Sequence, residues 1–201
     1  MADTTAGAAE SGFGVNGRFA SVEEWGENLV TTLGCNDCHS VKKWGPQGPA
    51  IDEAMLLAGH PADQVLPAHD PSLIGMGPNN WILANINFTA YVGPWGTSYA
   101  ANLTPDPTGL GSWTEEQFLM ALKQGWYKGM EGTRKLLPPM PWQGYSLLSD
   151  EEVKAIFAYL KTVPPVENAV PAPVMAGPPP GAAPGGEAPP AGDTGSADTG
   201  A

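Results

Sequence analysis

Apolar side chains recur at helical spacing in three places, each opened by a hydroxyl residue with an acid or amide three positions on. Val22, Trp25, Leu29 and Leu33 fall on one face behind Ser21 and Glu24, a pairing that closes the first turn of a helix on its own backbone. It predicts a helix running to Gly34. Thr114 and Gln117 open a second, with Phe118, Ala121 and Leu122 inward and Gly125 as its stop. Ser149 and Glu152 open a third, with Val153, Ile156, Phe157 and Leu160 as its stripe before Pro164. The three stripes read as core, and together they predict a mainly α domain.

Between Trp44 and Ala101 no such period holds. The stretch is dense in Gly, Pro and Asn, with one short helical candidate at 52–57, so the expectation is a long wrapped loop. Trp81, Phe88, Tyr91 and Trp95 argue that it is ordered. From Pro164 to Ala201 there are 10 Pro, 7 Gly and 9 Ala among 38 residues. Such a composition buries too little apolar area to offset its ordering entropy, which predicts a disordered, polyproline-like tail over 166–201. Residues 1–16 read as similarly loose, leaving 17–165 as the folded domain.

The totals alter this picture little. The chain of 201 residues is 42% apolar, enough for one core, and no apolar run approaches the roughly 20 residues needed to cross a bilayer. Net charge is −12, with two acids and no base in residues 1–10, four acids and no base in 167–201, and 15 acids against nine bases between. Nucleic acid is not the partner of such a chain. No basic-then-apolar segment opens it, so no export signal is expected in the chain as it stands.

The decisive chemistry is Cys35-Asn36-Asp37-Cys38-His39, which holds both cysteines of the chain. Two thiols three positions apart can add to the two vinyl groups of one haem, and the adjoining imidazole then falls against the iron. A thioredoxin-like dithiol is an alternative, but it needs a strand before the motif, where a helix is predicted. Zinc is another, but it needs a second close ligand pair, and His60 and His69 lie nine positions apart. On the haem reading a sixth iron ligand separates an electron carrier from a ligand binder. Met140 sits in Leu136-Leu137-Pro138-Pro139-Met140-Pro141-Trp142, where three prolines stiffen the backbone. A rigid loop holds a soft thioether against iron at low entropic cost, which makes Met140 the candidate, with Met130, Met76, His69 and His60 in reserve.

Several motifs in order carry a resemblance. Gly34 through His39, then Asn102-Leu103-Thr104-Pro105-Asp106 with Gly109, Gly111 and Trp113, then Pro138 to Trp142, then Leu148-Ser149-Asp150-Glu151-Glu152 ahead of residues 155–160, resemble bacterial class I monohaem cytochromes c. Within that class they resemble those related to the cytochrome subunits of membrane-bound dehydrogenases. The resemblance spans about residues 18–166. It implies one covalent haem c on Cys35 and Cys38, His39 as proximal and Met140 as distal ligand, and first and last helices crossing closely near Gly26. It also implies a class I cytochrome c fold, here with a long inserted loop between the haem motif and the middle helix, because 101 positions separate His39 from Met140.

With both axial positions filled, the expected function is one-electron transfer without catalysis, between respiratory or dehydrogenase partners: a dehydrogenase, an oxidase or another cytochrome. The alternative is a haem enzyme or gas sensor with a labile or absent sixth ligand. Asn102, Trp113, Arg134 and Trp142 are expected near the haem. Covalent haem also implies a periplasmic or outer-face location after signal removal, with membrane association only through partners or a removed anchor. Lys42, Lys43, Lys123, Lys128, Arg134 and Lys135 flank the two ligand segments and predict a basic rim on an acidic protein.

Overall fold

The computed structural model describes residues 12–14 and 17–177; the expectation of a loose N-terminus lies mostly outside these residues. Helix α1 (Val22–Thr32) begins where Ser21 Oγ accepts from the Glu24 amide. It is followed at once by the short α2 (Cys35–His39), and the two are joined through Gly34 at φ 73°. Helix α3 (Glu115–Gln124) has both halves of its Thr114/Gln117 capping box and stops at Gly125, φ 70°. A short α4 (Trp142–Tyr145) precedes α5 (Asp150–Leu160), which carries the Ser149/Glu152 box. These caps are worth about 1 kcal/mol each, and they place the helix starts where the sequence pattern does.

Helices α1 and α5 pack against each other at a point with no side-chain layer. A Cβ built on Gly26 would lie 1.9 Å from the Ala155 carbonyl oxygen and 2.8 Å from Tyr159 Cβ. The core gathers around this crossing from Val30, Leu57, Leu110, Phe118, Leu122, Val153, Ile156, Phe157, Leu160 and Val163. Residues from every helix but α2 and α4 enter it, and those two lean on it through Cys35 and Tyr145.

The mainly α expectation, and with it the class I fold bearing a long inserted loop, is corrected by the segment between α2 and α3. Among the described residues helix makes up 31% and strand 16%, with two antiparallel sheets. Strands β1 (Lys42–Gly45) and β2 (Gly48–Ile51) form a hairpin. Strands β3 (Leu83–Ala84), β4 (Ala90–Gly93), β5 (Gly96–Tyr99) and β6 (Val174–Met175) form a four-stranded sheet in chain order. Both four-residue hairpins close on Gly-Pro-X-Gly, at 45–48 and 93–96, with Gly45 paired to Gly48 and Gly93 to Gly96. Proline sets φ for the turn's second position, and the closing glycine takes the left-handed backbone, φ 101° at Gly48 and 106° at Gly96. The helical candidate at 52–57 is one 3₁₀ turn, Glu53–Met55, capped by Asp52.

The tail boundary is also corrected. Asn168 is 6% exposed and β6 pairs with β5 at Gly96 and Thr97, so the fold continues well past residue 165. Proline content obscures this because what anchors the segment is polar: carbonyls at 58, 60 and 166 and the side chains of Asn102, Thr108 and Asn168. Residues 178–201 of the expected tail lie outside the described residues. No helix among the described residues is long and apolar enough to cross a membrane.

Candidate functional site

Helix α2 is one turn and a half, just long enough to carry both thiols and the imidazole. Cys35 packs against the hydrophobic core, and the Cys38 sulfur lies 3.2 Å from the Tyr91 hydroxyl on β4. His39 is 7% exposed. Its Nδ1–H donates to the Ala101 carbonyl at 2.7 Å, and its Nε2 has no hydrogen-bond partner among the described residues. The Gly59 amide donates to the His39 carbonyl at 2.8 Å, and Ser40 Oγ accepts from the Leu57 amide at 2.9 Å. Lys42 folds back over the helix end, donating to the Asp37 carbonyl, to Ser40 O at 2.9 Å and to Asn87 O at 2.5 Å.

This environment decides between the readings of the motif. Burial pushes the Cys35 thiol up to about 11, the reverse of what a dithiol redox pair needs, since that chemistry runs through a thiolate. Burial also holds His39 below its ordinary value of 6.5, against the opposing pull of the Ala101 bond, so the ring is neutral, as a metal ligand must be. No cluster of three or more His, Cys, Asp or Glu side chains is found among the described residues.

The Met140 segment packs against the same core. Pro138 O accepts from Ser98 Oγ at 2.7 Å, tying the loop to β5. Tyr145 on α4 donates its hydroxyl to Leu33 O at 2.9 Å, immediately before the cysteine motif. Met140 and Cys35 both pack, partly buried, on one hydrophobic cluster. The reserves do not share this placement. Met130 is 46% and Met76 88% exposed, and His69 is also exposed. His60 is fully buried with both ring nitrogens engaged: Nε2–H donates to Gln64 O at 3.3 Å, and Nδ1 accepts from Thr89 Oγ1 at 2.9 Å.

The donors present fit a haem held through sulfur: two unpaired thiols on one short helix, a neutral imidazole with its Nε2 unengaged, and a thioether on the cluster that also seats Cys35. The four further residues expected near it divide. Trp113 packs on the same cluster. Asn102 is a brace, with Nδ2 donating to Val166 O at 2.8 Å and Thr108 Oγ1 at 3.1 Å, and Oδ1 accepting from the Thr104 amide and hydroxyl. Its carboxamide has nothing left for another group. Arg134 stacks 3.9 Å above the Tyr127 ring. Trp142 covers Gly125, where a Cβ would lie 2.4 Å from the indole.

The basic rim shrinks in the same way. Lys42 is turned onto backbone carbonyls, Lys43 pairs with Asp52 at 2.7 Å, and Lys123 pairs with Asp150. Lys135 lies over Trp126 and donates to Gln124 O at 2.7 Å, and Arg134 donates to Lys135 O at 3.0 Å, with Lys128 beside it over Tyr127. Sequence reasoning missed Tyr91, Ala101 and Tyr145, which contact the motif from 53 residues or more away.

No protein-family model matches the chain. Similar curated proteins do exist. Ninety residues, 44% of this chain, are 37% identical to a nicotinate dehydrogenase subunit of Pseudomonas putida. Seventy-six residues, 37% of the chain, are 43% identical to the fructose dehydrogenase cytochrome subunit of Gluconobacter japonicus, and 78 residues, 38%, are 40% identical to the gluconate 2-dehydrogenase cytochrome c subunit of Pantoea cypripedii. The fructose and gluconate dehydrogenase relatives are cytochrome subunits of dehydrogenases. The chain spans only 7%, 15% and 17% of these three proteins' lengths, so the likeness concerns a segment of each. It agrees with the resemblance carried by the ordered motifs.

Proposed function

We propose that this protein transfers single electrons through one covalently held haem c, as a non-catalytic cytochrome working with dehydrogenase, oxidase or other cytochrome partners on the periplasmic side of the cytoplasmic membrane. The observation that carries the reading is His39: a buried, neutral imidazole whose Nδ1–H is fixed by Ala101 and whose Nε2 has no partner among the described residues, on the same short helix as two unpaired thiols. The relatives' names support the electron-transfer class.

Bound haem would supply an iron couple that cycles between ferrous and ferric. Cys35 and Cys38 would hold it as thioethers, and His39 Nε2 and Met140 Sδ would be the ligands to its iron. Methionine is a weak donor and favours the ferrous state, whereas the Ala101 carbonyl, by drawing on the Nδ1 proton, makes the imidazole a stronger donor and opposes it. The balance of the two sets the potential. The sensor or enzyme reading asks for a distal acid-base group. Neither histidine supplies one: His60 has both ring nitrogens engaged and His69 is exposed.

The test is a visible spectrum of the purified protein in both oxidation states, beside Met140→Ala. The expected result is pigment that stays with the denatured chain, and a red charge-transfer band, typical of iron bonded to thioether sulfur, that vanishes in the variant. A released pigment refutes covalent attachment, and a persisting band refutes Met140.

A further inference from the structure

The segment beyond the last helix is built into the support of His39. Two backbone groups hold this residue: the Ala101 carbonyl at Nδ1 and the Gly59 amide at its carbonyl. They belong to neighbouring stretches, 58–60 and 100–104, linked to each other by His60 N–H to Ala100 O at 3.0 Å and by Leu103 N–H to Leu57 O at 2.8 Å. Asn168 closes over both. Its Nδ2 donates to Ala58 O at 2.7 Å and to His60 O at 2.9 Å, and its Oδ1 accepts from the Ala62 amide at 2.9 Å. Its backbone amide donates to Thr108 Oγ1 at 2.9 Å, and the stretch 100–104 meets the segment at its backbone, where Asn102 Nδ2 donates to Val166 O and, at 3.4 Å, to Asn168 O. Every polar atom of the Asn168 carboxamide is used, and the residue is 6% exposed. Only a primary amide presents two donors and an acceptor in this arrangement.

We infer that Asn168 is a positioning residue for His39: by fixing 58–62 against 100–104 from a point outside the helical domain, it holds the Ala101 carbonyl on the imidazole and so tunes the potential of the iron. This rests on the haem reading above. Removing the carboxamide frees 58–62 and, through the His60–Ala100 and Leu103–Leu57 bonds, loosens 100–104 and lengthens the Nδ1–H bond, which weakens the imidazole as a donor and shifts the couple toward the ferrous state. The segment 166–168 is therefore part of the redox site's support, although none of its atoms contacts the cysteine motif in the hydrogen-bond network.

The experiment uses the full chain with haem attached. Asn168→Ala and Asn168→Asp should both raise the reduction potential and speed exchange of the His39 Nδ1 proton, the exchange by up to about tenfold, the worth of one hydrogen bond. Asp should do so at least as strongly, since its carboxylate faces two carbonyls. Ser149→Ala, which removes the exposed cap of α5 without touching this network or the cluster under Cys35 and Met140, serves as the control for general loosening and should leave the potential unchanged. Equal shifts in the control and the Asn168 variants, or no shift in the latter, would overturn the inference while leaving the haem reading intact. Absence of covalent pigment in the unsubstituted chain would overturn both. If the variants do not fold, exchange in the unsubstituted protein decides: the Asn168 side-chain protons and the His39 Nδ1 proton should lose protection together as denaturant is added, and rapid exchange at Asn168 beside a protected His39 would sink the proposal.

Discussion

Gly26→Ala pits local preference against packing at one position. In an exposed helix the change gains about 1 kcal/mol, because alanine loses less backbone entropy than glycine. Here the new methyl would sit 1.9 Å from the Ala155 carbonyl oxygen and 2.6 Å from its carbon, whereas ordinary contact begins at 3.4 Å. The obstacle is the backbone of α5, so no rotamer change relieves it. The helices must separate by about 1.5 Å, and a gap of that order forfeits at least a quarter to a half of the dispersion energy of the facing pairs. Overpacking against backbone belongs at the upper end of the usual 1–3 kcal/mol, so the net loss is about 2 kcal/mol after the propensity gain. For a domain of this size that lowers Tm by about 4–8 °C. Thermal unfolding followed by circular dichroism of the haem-loaded protein measures it. An unchanged or raised Tm would mean that α1 and α5 do not touch at Gly26, and the close helix crossing would be wrong.

Two other perturbations follow from the same contacts. Ser98→Ala removes the hydroxyl that donates to Pro138 O and accepts from Trp95 Nε1 in a site 7% exposed; a loss of about 1–2 kcal/mol is expected in urea unfolding, with a weaker Met140 charge-transfer band as its signature. Burial depresses His60 below its ordinary 6.5, so the unfolded chain binds the extra proton first and stability falls as pH drops below about 6.5 until the folded-state value is passed. Midpoints in urea at pH 7, 6 and 5 should show this decline in the parent and a flatter profile in His60→Gln. The acids held below their ordinary range, Asp52 by Lys43 and Asp150 by Lys123, lose their contribution only at lower pH, which separates the two effects.

The helices were legible because their signals are local. A capping box and a stripe are complete within a dozen residues, and Gly125 and Pro164 mark the ends of α3 and α5 in single letters. The strands were not. Each hairpin strand is four residues long, too short to establish a period of two, and glycine and proline at both turns made 42–99 read as loop. The repeated Gly-Pro-X-Gly was the available signal. Asn168 was illegible for a different reason: its partners are backbone carbonyls more than 100 residues away, and a carbonyl leaves no mark on the sequence. Arg134 and Trp142 lie close to Met140 in sequence yet turn toward Tyr127 and Gly125, because a chain that bends at every proline separates neighbours quickly.

What lies between the two proposed ligands is therefore part of the site's construction. The hairpin of β4 and β5 sets Tyr91 against the Cys38 sulfur, and through Ser98 it holds the carbonyl of Pro138, two residues before Met140. Directly after it, Ala101 receives the His39 Nδ1 proton. One element thus contacts both ligand segments, and a displacement of the hairpin moves the support of the imidazole and the tether of the thioether together. A domain lacking residues 42–101 would need other partners for all three contacts. That is the physical reason to regard this sheet as the frame that fixes one proposed ligand relative to the other, with α1, α3 and α5 supplying the apolar floor on which Cys35 and Met140 both rest.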